Sequence, residues 1–305
     1  HFVEHCAFLK LKSYGKGELV TFLESIGAQF GADLNAHTSF SETVYKLNVP
    51  IDGEKGFELL DKALGIAGEW ASGVLIEEDL VTPERTVVNE EWRSRLGVGS
   101  RLFQQYLSTV WAHERLAKRL PIGGEGDAKG MKCVLNGDVQ RLRDFYSHNY
   151  RPELCAIIAV GDFAHLEKGG KTILSLIEKH MGKWPRTPKE RYAKALPFEC
   201  TAPKQLPDAP TKTLICIDSE LSGSAVEIGL VLAPAPWART ARTLLDSMQR
   251  DIWMEVLNFR LAKLVENGGA DPPFAGAHGS REAFEGAPMF ELSASLRTED
   301  QWEGA

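Results

Sequence analysis

Long apolar runs are missing from this 305-residue chain. No stretch approaches the ~18 apolar residues that a membrane-crossing helix requires, so no membrane span is expected and the chain reads as soluble. An excess of positive charge is missing too. The formal net charge is -7, whereas nucleic-acid binding depends on clustered Lys and Arg facing phosphates, so no nucleic-acid partner is expected. Cysteine is sparse: Cys6, Cys133, Cys155, Cys200 and Cys216 lie far apart, form no CxxC pair and are odd in number. That pattern argues against a disulfide framework and against a cysteine zinc site. No basic-then-apolar leader and no initiator Met precede His1. No targeting signal can therefore be read, the compartment stays open, and the chain reads as part of a longer polypeptide.

What is present is ordinary globular material, with 43% hydrophobic and 25% charged residues, and a length that suits about two domains of roughly 100–200 residues. Residues 17–28 space Leu19, Phe22, Leu23 and Ile26 by three and four, which predicts an amphipathic helix. LNAHTSFSETVYKLNVP then alternates apolar and polar residues, which predicts a strand pair stopped by Pro50. Helical period returns with Phe57, Leu60, Ala63, Leu64 and Ala67 on one face, and charged helices are expected at 77–99 and at 138–149, the latter capped by Asp138. CAIIAVGD at 155–162 reads as a buried strand leading into a helix at 164–181. The stretch 186–210 is rich in Pro and Lys and lacks any period, as a linker does. Beyond it, strands at 211–218 and at AVEIGLVLAP, a helix at about 238–267 and a strand at APMFELSASL echo part of the first unit. The expectation is an α+β fold, with helices layered on largely antiparallel sheets. It has one near-complete domain at 1–185, the linker, and a partial second domain of similar fold at 211–305.

The chemistry concentrates in the first five residues, HFVEH. On a helix His1 and His5 lie four apart on one face, with roughly 5–6 Å between their Cβ atoms, so both imidazoles can reach one metal ion. Glu4 flanks the same face, close enough to take a proton from zinc-activated water. HxxEH is the inverse of the HExxH zinc motif. Catalytic zinc usually takes three protein ligands, and the best source of the third is PERTVVNEEWRSR at 83–95. There Glu84 and Glu91 are about two turns apart on one helix face, whereas Glu90 points roughly 100° away. Solvated His and Glu side chains at helical spacing are common, so this geometry alone leaves a surface reading open.

Five stretches in order, HFVEHCAFL, ELVTFLESIGAQFGADLNAHTSFSETVYKLNVP, ERTVVNEEWRSR, RLPIGGE and LRDFYSHNYRPELCAIIAVGDF, resemble the pitrilysin, or insulinase, family of zinc peptidases. The resemblance is strong over about residues 1–185 and weaker over 211–305. It implies one Zn2+ per catalytic domain, held by His1, His5 and Glu91. Glu4 matches the general base, and Glu84 joins it as a carboxylate near the metal with an orienting or electrostatic role. Asn35 and Ala36 match the start of an edge strand along which the family lays an extended substrate, by strand addition to free backbone groups. Asn35 also suits a plain turn before a strand, RLPIGGE a plain loop, and His37 and His113 surface or packing roles.

The implied function is a zinc metalloendopeptidase acting on peptides or unfolded segments. A non-catalytic substrate-binding or scaffold subunit, or an inactive fragment of the enzyme, stands as the alternative. Two departures from the family are visible. Cys6 and FLKLKSYG stand where relatives carry Met and an Asn-Gly-Thr-like turn, and the opening strand before the first His is absent. A C-terminal half or partner subunit, which in relatives closes the chamber and contributes Arg and Tyr, is expected as the missing partner.

Overall fold

The computed structural model describes residues 1–29, 31–51, 56–110, 120–123, 131–164, 166, 170–186, 212–231, 240–267, 274–284 and 287–296. In chain order the elements are helix α1 (Phe2–Leu9), α2 (Glu18–Ser25), strands β1 (Leu34–Thr38) and β2 (Thr43–Leu47), α3 (Gly56–Ser72), α4 (Glu78–Ser94), α5 (Val98–Val110), α6 (Lys132–Leu135), α7 (Val139–Asn149), a 3-10 turn at Pro152–Leu154, α8 (Gly170–Met181), β3 (Ala225–Val231), α9 (Ala241–Asn267), β4 (Phe274–Phe284) and β5 (Ala287–Leu296). The class is α+β with antiparallel pairing throughout, as the pattern predicts. The residues group into two compact units, one formed by His1–Leu96 and Lys118–Phe198, the other by Gly97–Ala117 and Glu199–Ala305.

In the first unit α1 is the hub. Val3, Cys6 and Ala7 recur at helical spacing and are buried against Leu19 and Leu23 of α2, Leu34 of β1, Ile66 and Trp70 of α3, Val81 of α4 and Val139 of α7. That arrangement spends one face of α1 on the core and leaves the His1/His5 face for α4. A smaller cluster of Val88, Trp92, Met131 and Val134, with Phe2 against it, fixes the other end of α4. Aromatic packing ties the strand pair down: the Tyr45 ring stacks on Trp70 with centroids 5.2 Å apart, and Phe8 meets Trp70 edge-on at 5.8 Å. Asp138 caps α7 as the sequence predicts, accepting from the Gln140 N–H at 2.8 Å. Ile66 is fully buried at the centre of this cluster. Ile66→Ala is expected to lower unfolding free energy by about 2–5 kcal/mol, measurable by urea denaturation of the intact gene product.

The second unit holds a three-stranded antiparallel sheet ordered β3-β5-β4. The Asn258 carboxamide of α9 accepts from the Gly279 N–H at 2.7 Å and donates to its carbonyl at 2.9 Å, which occupies β4 backbone groups that β5 does not use. Strand β4 was not predicted, because FAGAHGSREAF carries little apolar alternation. Arg101 of α5 grips Asp218 through two bonds, at 2.7 and 2.8 Å.

Two sequence expectations are corrected. Residues 155–160 and 212–218 are not strands: both lie outside every sheet among the described residues. The first is also not buried, with Ile158 85% and Val160 90% exposed. An apolar run predicts burial only if another element covers it, and no described residue pairs with this one. The expected linker lies from 187 onward outside the described residues, as do His113 and, within RLPIGGE, Arg119, Gly124 and Glu125. Residues 120–123 of that loop form a turn ending at Gly123, whose φ of 129° suits glycine alone.

Candidate metal centre

α1 is eight residues long, and His1 is its N-cap. The backbone bond from the His5 N–H to the His1 carbonyl, 3.1 Å, closes the first turn and sets both imidazoles on one face. Facing them, α4 presents Val81, Glu84, Val88 and Glu91 at steps of three, four and three. Val81 and Val88 are fully buried, so the same stripe that seats α4 on the core carries its two carboxylates toward α1.

The result is a tight cluster. Glu91 Oε2 lies 3.4 Å from His1 Nε2 and 3.2 Å from His5 Nε2, and one ligand atom from each of the three residues falls within 4.8 Å of the others. Tetrahedral zinc with nitrogen and oxygen donors at about 2.0–2.1 Å separates its ligands by roughly 3.4 Å, so this donor set fits zinc. Among the described residues it is the one group of His, Cys, Asp or Glu side chains so placed. Glu84 Oε1 takes the other nitrogen of His5, Nδ1, at 2.7 Å. In the neutral, metal-binding form of the ring, that contact places the proton on Nδ1 and leaves the Nε2 lone pair free for a metal. Arg95, one turn beyond Glu91, holds Glu91 Oε1 and so leaves Oε2 to face the histidines. Glu90 points away and pairs with Arg93 at 2.8 Å.

Electrostatics follow from this packing. Burial alone lowers the His5 pKa, but the hydrogen bond and charge of Glu84 and the charge of Glu91 override it, and the net shift is upward. Burial pushes the Cys6 thiol up to about 12. Cys6 packs in the core with Val3 and Ala7, outside the His1, His5 and Glu91 group. Glu84→Gln removes the acceptor charge behind His5, and apparent zinc affinity is expected to fall by about 10- to 100-fold, as read by competition with a chromogenic chelator.

Glu4 stands apart from the three donors. It is a buried carboxylate, 9% exposed, and its Oε2 accepts from the Thr38 hydroxyl at the end of β1. Asn35 and Ala36 lie on the same strand, paired with Lys46 and Tyr45 of β2. β1 has β2 as its sole sheet partner among the described residues. The Asn35 side chain donates to the Gly31 carbonyl at 3.1 Å and accepts from the Ala36 N–H at 2.9 Å, a local, turn-like use of the carboxamide. His37 faces away from Leu34 on this strand. Thr38 and Arg95 escaped the sequence reading. Strand alternation held a signal for Thr38, which shares the face of buried Leu34, and helix spacing held one for Arg95, four residues after Glu91.

An inverted histidine pair on one helix, completed by a glutamate from a second, defines a class of metallopeptidase centre. The family model described as insulinase, peptidase family M16, matches residues 1–121, and the one described as peptidase M16 inactive domain matches residues 138–303. The chain belongs to the M16, or insulinase/pitrilysin, family of peptidases. It is 32% identical over 280 residues to the zinc protease PQQL-like of Arabidopsis thaliana, a match covering 90% of this chain and 26% of that protein. It is 33% identical over 185 residues to the probable zinc protease PqqL of Escherichia coli K12, covering 61% and 18% respectively. The chain thus spans about a quarter or less of the length of these relatives. Its fold superposes on the first half of the periplasmic protease PqqL from Escherichia coli with a TM-score of 0.74 at 25% identity, covering 97% of this chain and 58% of that one. Pitrilysin shares the fold, with a TM-score of 0.58 at 16% identity, over 100% of this chain and 30% of its own.

Proposed function

We propose that this chain supplies the catalytic centre of a zinc metalloendopeptidase that hydrolyses peptides or unfolded polypeptide segments bound as an extended strand. The convergence of one ligand atom each from His1, His5 and Glu91 within 4.8 Å, beside a buried Glu4, supports this reading most directly. Relatives named zinc proteases favour the same metal. Zinc, when bound, would polarise the scissile carbonyl and acidify the attacking water. His1, His5 and Glu91 hold it, and Glu84 keeps His5 in the tautomer that can donate to it. Glu4 accepts the proton from the attacking water. The edge of β1 at Asn35 and Ala36 takes the substrate backbone by strand addition, a peptide carbonyl at Ala36 replacing the Asn35 carboxamide there.

The alternative of a non-catalytic substrate-holding role suits the second part of the chain. Residues 138–303 match a model named for an inactive domain, and the single metal-ligating group among the described residues lies in the first unit. A further part of the polypeptide or a partner subunit is proposed to enclose the substrate. The test is zinc content and cleavage of an unfolded reporter peptide by the full-length gene product that carries this sequence. Chelator-sensitive cleavage restored by zinc is the expected result. A preparation that cleaves at full rate without zinc, or binds zinc and cleaves nothing, would overturn the reading.

A further inference from the structure

The hydrogen bond on the Glu4 carboxylate leads on to a second hydroxyl. Thr38 Oγ1 lies 2.5 Å from Glu4 Oε2 and 3.1 Å from Thr43 Oγ1, its directly opposite partner across the β1–β2 ladder. Two residues along β2 from Thr43, the Tyr45 hydroxyl lies 2.8 Å from the Tyr150 hydroxyl. A hydroxyl has one hydrogen to give. An ionised Glu4 can only accept, so Thr38 must donate to it. Thr43 must then donate to Thr38. The chain thus has one direction, and it ends on the carboxylate.

The strand that carries Thr43, β2, is held firmly through Tyr45. Tyr45 is stacked on Trp70, Tyr150 packs against Tyr146 with ring centroids 4.6 Å apart, and Tyr146 is pinned by the Val74 N–H at 3.1 Å and the Trp70 carbonyl at 3.0 Å. At the other end Glu4 Oε1 accepts no hydrogen bond among the described residues. One carboxylate oxygen is tied and the other is left to work.

We infer that Thr38, supported by Thr43, is a positioning residue that holds Glu4 through Oε2 and so aims Oε1 at the reacting water. The inference rests on Glu4 being the base. It adds a link to the substrate-binding strand: Thr38 ends the strand on which Asn35 and Ala36 lie, so the segment proposed to receive the peptide also orients the proton acceptor.

The test compares Thr38→Val, Thr38→Ser and Thr43→Val in the full-length gene product, reading kcat, KM and bound zinc. Thr38→Val keeps the branched shape and loses the hydroxyl. It is expected to lower kcat by about 10- to 100-fold, with KM changed by less than about twofold and zinc content unaltered, because Thr38 touches no metal ligand. Thr38→Ser, which restores the hydroxyl, is expected to return kcat to within about threefold of the original. Thr43→Val removes the donor to Thr38 at a partly buried position and is expected to cost about 3- to 10-fold in kcat. Thr38→Val at full rate, Thr38→Ser as slow as Thr38→Val, or Thr43→Val without effect would overturn the inference. Glu4→Gln keeps the two ideas separable. Hydrolysis retained in that variant sinks the base assignment itself, while an inactive Glu4→Gln beside a fully active Thr38→Val sinks only the hydroxyl chain.

Discussion

Glutamine at position 4 is expected to lower peptide hydrolysis by about 100- to 10,000-fold while leaving the zinc in place. The two consequences separate because Glu4 is not one of the three converging donors: its carboxylate accepts from Thr38, whereas His1, His5 and Glu91 meet one another. Glutamine matches glutamate in shape and its amide oxygen can still accept from Thr38, so packing around the buried side chain is preserved. What it cannot do is take a proton. Metal analysis and kcat on one preparation check the result. Equal loss of zinc and activity would mean that Glu4 is part of the metal's own support and not the base.

His5→Ala is expected to act at the other level and remove the metal. His5 bridges the two carboxylates, with Glu91 Oε2 at 3.2 Å on one ring nitrogen and Glu84 Oε1 at 2.7 Å on the other. Its loss takes away a donor and leaves two carboxylates facing a gap. Zinc affinity should fall by more than the roughly 10- to 100-fold typical of a supporting residue behind a ligand, and activity should vanish with it. Equilibrium dialysis against buffered zinc measures the first, and failure of added zinc to restore cleavage measures the second. The raised His5 pKa has a further consequence for the protein under chelation. The imidazolium's contact with Glu84 and Glu91 stabilises the fold fully below the unfolded pKa near 6.5, and that contribution is lost as pH rises through the raised folded value. Zinc has the opposite preference, because it needs the neutral ring.

Period and spacing determined a good deal without any structure. The four-residue step from His1 to His5 requires only a helix for both rings to share a face, and α1 is that helix. The seven-residue step from Glu84 to Glu91 does the same for α4, and Val81 and Val88 seat that stripe inward. The Asp138 cap, the β1–β2 hairpin and the helix ending near residue 267 follow from rules that act within a few residues. Local sequence suffices there because the physical interactions are local.

Tertiary structure decided what depends on distant partners. Which nitrogen of His5 meets which glutamate, separated by 79 and 86 residues, is set by how α1 and α4 dock on a shared core. The hold of Thr38 on Glu4 spans 34 positions and exists only because β1 packs against α1. The run CAIIAVGD shows the same rule by its failure as a strand prediction: its apolar residues favour burial, but a strand also needs a neighbour to take its backbone hydrogen bonds. Composition states what a segment would gain by being covered, and only the folded chain shows whether something covers it.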